Sequence, residues 1–197
     1  MSNEDILLYV FILFIVIICI RIYYTSEMAQ LKCVISSVDG NTYCVRERHK
    51  LEMAADMLAN TTRNCKTLII FLDEKYPNKP EVQRLSKKFD STKIQETLPT
   101  SKYPAYSENK GEKLAFCVNK SKSDTTLIDP TTLTFGALHE LAHIMTQSEG
   151  HKLIFWENFK FLLGNAVEIG VYKPVDYKKK PVHYCGMDLT DNPYYDF

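Results

Sequence analysis

Three of the five histidines of this 197-residue chain lie within thirteen residues, in the segment HELAHIMTQSEGH. His139 and His143 are four positions apart, so on a helix both imidazoles lie on one face and can reach one metal ion. Glu140 follows the first histidine, where its carboxylate lies beside a metal-bound water instead of binding the metal. We therefore predict a Zn²⁺ site with His139 and His143 as ligands and Glu140 as the general base.

A third ligand must come from the residues that follow, and the sequence leaves more than one candidate. A turn at Gly150 would fold His151 back onto the first two histidines and leave a fourth metal position for water. Glu168 is the rival ligand, as in enzymes that use two histidines and one glutamate. Glu157 is a weaker rival, because a charged residue beside Trp156 can simply face water.

These residues predict a hydrolytic mechanism. Zinc lowers the pKa of a bound water from about 15.7 to about 7 and polarises a substrate carbonyl. Glu140 would take the proton of that water and deliver it to the leaving amine. The oxyanion needs a donor besides the metal, and the late segment HYCG offers Tyr184 or His183. Tyr184 is our candidate; the alternative is a core tyrosine whose hydroxyl meets a backbone partner.

Two predicted helices position these side chains. Asp129 can cap the first helix and Pro130 is tolerated at its first position, so the helix is predicted over 131–147. After the turn, a second helix is predicted over 152–170. Its buried stripe consists of Phe155, Phe159, Leu162, Leu163 and Ala166.

The residues before the zinc helix have the pattern of a mixed domain. Strand-like runs flank the turn Asp39-Gly40, and apolar residues recur at helical spacing from Leu51 to Leu58. The other predictions are strands over 31–38 and 42–46, strand or helix over 68–72, a helix over 81–89, a loop over 98–111 and a last strand over 114–118. The fold class is therefore predicted as α+β, with a small sheet and the HExxH helix.

Residues 6–24 form an apolar run interrupted only by Arg21. As a helix they would be about 28 Å long, close to the hydrocarbon thickness of a bilayer, about 30 Å. A cleaved signal peptide would begin with basic residues, whereas two acidic residues precede this run. A core helix would show a polar face, and this run has none. We predict a membrane anchor over 1–24 and a second domain over 25–197.

Charge and cysteines suggest an orientation for this anchor. Acidic residues precede the apolar run, Arg21 lies near its end and Lys32 follows it, so the positive-inside rule places the second domain in the cytosol. The domain has five scattered cysteines, unlike a disulfide framework or a structural zinc site: Cys33, Cys44, Cys65, Cys117 and Cys185. Sequons at Asn60 and Asn119 would matter only in a lumenal domain. We predict a single-pass membrane protein with a cytosolic domain.

The charge balance restricts the partners. The chain has 24 basic and 24 acidic residues, and 23 and 22 remain after Arg21, Glu4 and Asp5 are left out. A near-neutral domain is not expected to bind nucleic acid directly. The basic cluster 178–180 is typical of a solvated loop and could at most touch anionic lipid. The expected partners are a protein or peptide substrate and a lipid membrane, through residues 6–24.

The segment HELAHIMTQSEGH, followed by KLIFWENFKFLL, resembles the WLM group of zinc metalloproteases, relatives of the SprT-like proteases, and especially the versions encoded by large DNA viruses. TTLTFGAL before it and the late YCG resemble the flanking segments of those viral members. The resemblance spans about residues 40–190 and implies a minimal zincin-like metallopeptidase fold, with His139, His143 and His151 as ligands and Glu140 as general base. Cellular members are associated with DNA-bound protein substrates; the apolar anchor and the neutral domain argue against that substrate class.

Two hypotheses of different classes follow. The first is a membrane-anchored zinc endopeptidase that acts on proteins near its membrane, which would be a host or virion membrane if the protein is viral. The second is a membrane-anchored structural or binding protein that retains a zinc-binding zincin-like fold without proteolysis. Glu140 favours the enzyme, because a purely structural zinc site has no need of a general base.

Overall fold

The computed structural model describes residues 3–122, 124 and 126–196. The helices are α1 (Asn3–Thr25), α2 (Glu27–Gln30), α3 (Leu51–Lys75), α4 (Pro80–Lys88), α5 (Pro130–Met145) and α6 (Leu153–Glu168). The strands are β1 (Leu31–Ile35), β2 (Thr42–Arg46), β3 (Ile94–Glu96), β4 (Ala105–Glu108), β5 (Lys113–Phe116), β6 (Val182–Tyr184) and β7 (Met187–Leu189), and a short 3₁₀ helix covers Pro193–Tyr195. The predicted α+β class is confirmed at this level.

Helix α1 is apolar on all sides and its side chains are exposed. The segment Glu4–Thr25 has a mean hydropathy of 2.9, and none of its most apolar part is buried against the rest of the chain. By length and composition, this helix is long and apolar enough to cross a membrane. At its end, Gln30 Nε2 donates a 2.8 Å hydrogen bond to the carbonyl of Tyr24, which links the helix to the start of the domain.

The first hairpin packs on the long helix α3. Strands β1 and β2 pair antiparallel, and Gly40 adopts the left-handed φ of 71° that the predicted turn requires. Strand β1 ends at Ile35, three residues before its predicted end, because the chain then bends towards α3. There, Ser36 Oγ and the backbone N–H of Ser37 donate to the carboxylate of Asp56 at 2.6 and 2.8 Å.

A three-stranded sheet follows, in the order β3-β5-β4. The central strand β5 pairs parallel with β3 and antiparallel with β4. The prediction of a loop over 98–111 is wrong, since β4 lies within it; this polar, four-residue strand follows Pro104, and its local pattern gives no strand signal. The segment 68–72, left open as strand or helix, belongs to α3 and continues its buried face.

A buried charged cluster joins the hairpin to the sheet. Glu96 is fully buried and pairs with both Arg46 and Arg48. Arg46 Nε also donates to the carbonyl of Thr97 at 2.7 Å, and Arg48 Nη1 donates to Asn119 Oδ1 at 2.8 Å. Because a buried charge is tolerated only when it is paired and hydrogen-bonded, these contacts hold β2 against β3.

Four of the cysteines form disulfide bonds, so the prediction that they do not make a disulfide framework is wrong. Cys33 and Cys44 occupy facing positions of β1 and β2. Cys117 and Cys185 are 68 positions apart and tie the end of β5 to the turn between β6 and β7. Sequence spacing could not reveal the Cys117–Cys185 pair, because tertiary contacts bring these two residues together, whereas Cys33 and Cys44 meet within the local hairpin. Cys65 is free and buried.

Candidate metal centre

Helix α5 presents both histidines of the HExxH motif. Its start is as predicted: Asp129 accepts a 2.8 Å hydrogen bond from the backbone N–H of Thr132, and Pro130 occupies the first turn. Such a cap satisfies an amide that the helix itself leaves free. Most of the helix is buried, including Leu138, Leu141, Ala142 and Met145. The burial of this apolar face fixes the rotation of the helix and leaves the histidine face towards a cleft.

The three predicted histidine ligands meet at one point. His151 Nε2 lies 3.1 Å from His139 Nε2 and 3.1 Å from His143 Nε2, and all three ligand atoms lie within 4.8 Å of one another. One Nε2 atom carries either a proton or a lone pair, so it cannot make two full hydrogen bonds to like neighbours. Two nitrogens on one tetrahedral zinc ion at about 2.0–2.1 Å lie about 3.3–3.4 Å apart. The donor set therefore fits a small cation.

A turn and an aromatic ring orient His151. Gly150 adopts a φ of 72°, as the predicted turn requires, and α6 begins two residues after the histidine. The buried ring of Phe155 lies against all three imidazoles, with centroid distances of 4.9 Å to His139, 4.4 Å to His143 and 4.6 Å to His151. The helical pattern indicated Phe155 only as part of the core stripe, and its contact with the imidazoles depends on the direction of the turn before α6.

Burial keeps the α5 imidazoles neutral. It lowers the pKa of His139 to about 3, with further lowering by the charges of His143 and His151. The pKa of His143 falls to about 4, again through burial first, then through His151 and Lys110. A neutral imidazole keeps the lone pair that metal binding requires.

Glu140 is buried beside this cluster. Its residue is 6% exposed, and burial alone raises the pKa of its carboxyl group to about 8. No hydrogen bond or ion pair of the carboxylate occurs among the described residues. A buried carboxyl group without a partner costs stability, so its presence on the wall of a cleft is typical of a functional site.

Tyr184 also lines the cleft, with its ring against α5 at Gly136, and its hydroxyl is already engaged. The ring is 2% exposed, and the hydroxyl donates a 2.8 Å hydrogen bond to the carbonyl of Cys117. Burial raises the pKa of this tyrosine, and the charge of Glu140 raises it further. Its role as oxyanion donor stays a prediction. His183, the other candidate, is exposed and pairs with Asp188 at 2.7 Å.

The rival third ligands lie elsewhere. Glu168 is the last residue of α6, about 22 Å along that helix from its start at about 1.5 Å per residue. Its carboxylate pairs with Lys75, with both oxygens 2.6 Å from Nζ. Glu157 is exposed and does not belong to the histidine cluster.

The cleft in front of the histidines has a volume of about 620 Å³. Strand β4 forms one side, and Tyr184, Met187 and Leu189 form another. The sequence pattern indicated Tyr184 but none of the strands β4, β6 and β7, because each is only three or four residues long. The available signal for the second side was Cys185-Gly186, whose positive φ angles of 47° and 92° suit a two-residue hairpin turn.

Comparison with known proteins gives viral relatives. An uncharacterized protein of Acanthamoeba polyphaga mimivirus is 26% identical over 171 residues, which cover 85% of each chain. An uncharacterized protein of Invertebrate iridescent virus 6 is 36% identical over 62 residues, or 31% of this chain and 35% of that protein. No family model matches the chain, and no solved structure matches it. The expected similarity to viral proteins is confirmed.

Proposed function

We propose that this chain is a membrane-anchored zinc endopeptidase of the WLM type. The observation that carries the proposal is the buried, unpaired Glu140 next to the converging histidines on the wall of an open cleft. His139, His143 and His151 would hold Zn²⁺. When bound, the metal would supply Lewis acidity for a substrate carbonyl and for a water.

Glu140 would act as the general base. The pKa of about 8 belongs to the metal-free site, and the charge of a bound cation would favour the ionised carboxylate. That carboxylate would accept a proton from the attacking water and later give it to the leaving amine. The carboxyl group of Glu140 lines the cleft and forms no hydrogen bond or ion pair with a described residue, so no structural contact accounts for a carboxyl group at this largely buried position. A binding protein that used zinc only as a structural ion would be more stable with an amide or an apolar side chain at position 140.

A substrate could bind as an additional strand on β4. Cys117 N donates to the carbonyl of Pro104 at 2.7 Å, and the register pairs Ala105 with Phe116. In this register the backbone groups of Ala105 and Ser107 point away from β5, towards the cleft side of the sheet. An extended peptide can pair with such an edge through main-chain hydrogen bonds.

Direct binding to nucleic acid is not part of the proposal. Lys178 lies 3.0 Å from Asp191 and 2.9 Å from Asp196, and Lys179 lies 2.9 Å from Asp176. Two of the three lysines of the basic cluster are thus paired with neighbouring carboxylates. A neutralised loop has little attraction left for phosphates.

The test is Glu140→Gln in the full-length chain in detergent micelles, with zinc content and peptide cleavage measured together. We expect zinc to remain bound and cleavage to fall by about 10²–10⁴-fold, the usual contribution of a general base. Glu157→Gln is the matched control, because it removes an exposed carboxylate near the site. Equal cleavage by zinc-loaded wild type and Glu140→Gln would reject Glu140 as the general base. Zinc binding without cleavage by either chain would reject the endopeptidase and leave the non-proteolytic zinc-binding protein.

The side of the membrane on which the domain lies belongs to the proposal as well. Arg21 and Lys32 favour the cytosol, but the cysteines no longer support that placement. Two disulfides, one of them closing 68 residues, are typical of an oxidising environment. We therefore propose that the domain folds on the non-cytosolic side of its membrane.

The natural sequons cannot test this placement. Asn119 is 4% exposed and bound to Arg48, and Asn60 Nδ2 donates to the carbonyl of Asp56 within α3 at 2.9 Å. An exposed sequon made by Lys178→Asn with Lys180→Thr is a better probe. Its glycosylation, detected by a glycosidase-sensitive mass shift, would support the non-cytosolic side; a chain without glycan and with reduced cysteines would restore the cytosolic placement.

A further inference from the structure

The turn that carries His151 makes few backbone hydrogen bonds of its own. Helix α5 ends at Met145 and α6 begins at Leu153. Among the described residues, the carbonyls of 146–148 accept no backbone hydrogen bond. Carbonyl groups at a helix end that lack backbone donors must be satisfied by side chains or water. The conformation of this turn therefore depends on groups outside it.

Lys110 supplies the missing donors. Its Nζ lies 3.0 Å from the carbonyl oxygen of Thr146, 2.6 Å from that of Gln147 and 3.1 Å from that of Ser148. An ammonium group has three N–H donors, so the three carbonyls use all of them. The positive charge is also favourable next to the C-terminus of α5. Glu149, 3.2 Å away, is 90% exposed and adds little.

The support of Lys110 is itself fixed. The residue lies at the tip of the β4–β5 hairpin, where Asn109, Lys110 and Gly111 adopt φ angles of 46°, 56° and 113°. A Cβ atom at Gly111 would lie 2.6 Å from the carbonyl oxygen of Lys88, so this close approach to the end of α4 requires glycine. The hairpin thus presents Lys110 to the turn from a packed position.

Other side chains hold only the edges of the turn. Arg84 Nη1 donates to the carbonyl of Met145 at 2.6 Å, and Asn158 Nδ2 donates to Thr146 Oγ1 at 2.9 Å. Trp156 Nε1 donates to the carbonyl of His151 at 3.1 Å. The middle of the turn depends on Lys110.

We propose that Lys110 is a positioning residue for the metal centre: by binding three carbonyls of the 146–150 turn, it holds His151 at its distance from His139 and His143. The inference rests on the proposed function, because it assumes that these histidines bind a metal. Without this ammonium group, the turn would sample other conformations, and metal binding would have to order it. Groups that orient a ligand in this way typically change metal affinity by about 10–100-fold.

The experiment measures the Zn²⁺ dissociation constant of the full-length chain in detergent micelles, by competition with a chromophoric chelator. We expect Lys110→Met to weaken zinc binding by about 10–100-fold. Lys122→Met is the matched control, because Lys122 Nζ also binds two loop carbonyls, those of Ser101 and Lys102, both at 2.9 Å. Its zinc affinity is expected to stay within about 3-fold of wild type, since that loop carries no ligand.

A second comparison separates positioning from general stability. In a His151→Ala background, Lys110→Met should cause no further loss of zinc affinity, because the ligand that it positions is gone. Thermal unfolding of the metal-free chains reports folding, and Lys110→Gln, with fewer donors, replaces Lys110→Met if that variant does not fold. Equal affinity of wild type and the Lys110 variant, or an equal loss with and without His151, would overturn the inference alone. Failure of the wild type to bind zinc would overturn the proposed function and this inference together.

Discussion

The wall of the cleft that carries the histidines and the wall that carries Tyr184 are held by different kinds of contact. The first, which we call the histidine wall, is the α5–turn–α6 segment, whose three histidines lie within thirteen residues. The second, the hairpin wall, is β6–β7, which reaches the site through the Cys117–Cys185 bond and the Tyr184 hydrogen bond to Cys117. Local helical spacing builds most of the histidine wall, whereas long-range contacts build the hairpin wall. Substitutions in the hairpin wall should therefore lower the free energy of unfolding, whereas substitutions in the histidine wall should lower the affinity for zinc.

The largest effect on stability is expected from the hairpin wall. Replacing Cys117 and Cys185 together by Ala should lower the free energy of unfolding by about 4 kcal/mol, because the bond closes a loop of 68 residues. The same replacement of Cys33 and Cys44, 11 residues apart, should cost about 3 kcal/mol. Urea denaturation of the full-length chain in detergent measures both. Loss of zinc from the Cys117/Cys185 variant while it is still folded would show that the two walls are not separable.

The histidine wall should respond in metal affinity instead. His151→Ala is expected to weaken zinc binding by more than about 100-fold, because it removes a ligand and not merely a group that orients one. His183→Ala is the matched control, since that histidine is exposed on the hairpin wall. Competition with a chelator measures both constants. Retention of zinc by His151→Ala would show that another residue is the third ligand.

Tyr184→Phe tests whether the hairpin wall takes part in chemistry. The hydroxyl donates to the carbonyl of Cys117, so its removal should cost about 1 kcal/mol of stability. We expect zinc binding to be unchanged. Cleavage within several-fold of wild type would show that Tyr184 has only a structural role. A fall of about 10²–10³-fold in kcat would identify it as the predicted oxyanion donor.

The smallest effect is expected at the far end of α6. Glu168→Ala removes an exposed ion pair with Lys75, and such pairs contribute less than about 1 kcal/mol. Zinc affinity should not change, because the carboxylate lies at the other end of the helix from His151. A loss of zinc comparable to that of His151→Ala would instead support a site with two histidines and one glutamate.

The histidine wall could be predicted because its determinants are local. The spacing of His139 and His143 follows from the helical period, Asp129 caps the helix as its type predicts, and Gly150 makes the expected turn. The identity of the third ligand was left open between His151 and Glu168, and only the direction of the chain after Gly150 decides which one meets the cluster. The apolar helix α1 could also be predicted, because the length and composition of one segment are enough to indicate a helix that could span a membrane.

The hairpin wall and β4 could not be predicted, because strands of three or four residues are too short for a periodic pattern. Their stability comes from pairing with β5 and from the disulfide, whose cysteines lie far apart in sequence. The role of Lys110 could not be predicted from the sequence either. A lysine in a polar segment looks like any surface residue until the fold brings it to the carbonyls of a turn.

By itself, the sequence of this chain determined the chemistry of its centre: two imidazoles on one helix face, a carboxylate beside them and an apolar helix before the domain. Those features depend on residue type and on spacing within a few turns of helix. Tertiary structure decided which third residue joins His139 and His143, that Cys117 pairs with Cys185, and which side chains hold the turn. Each of these depends on contacts between residues distant in the chain, and such contacts form only when the core packs around them.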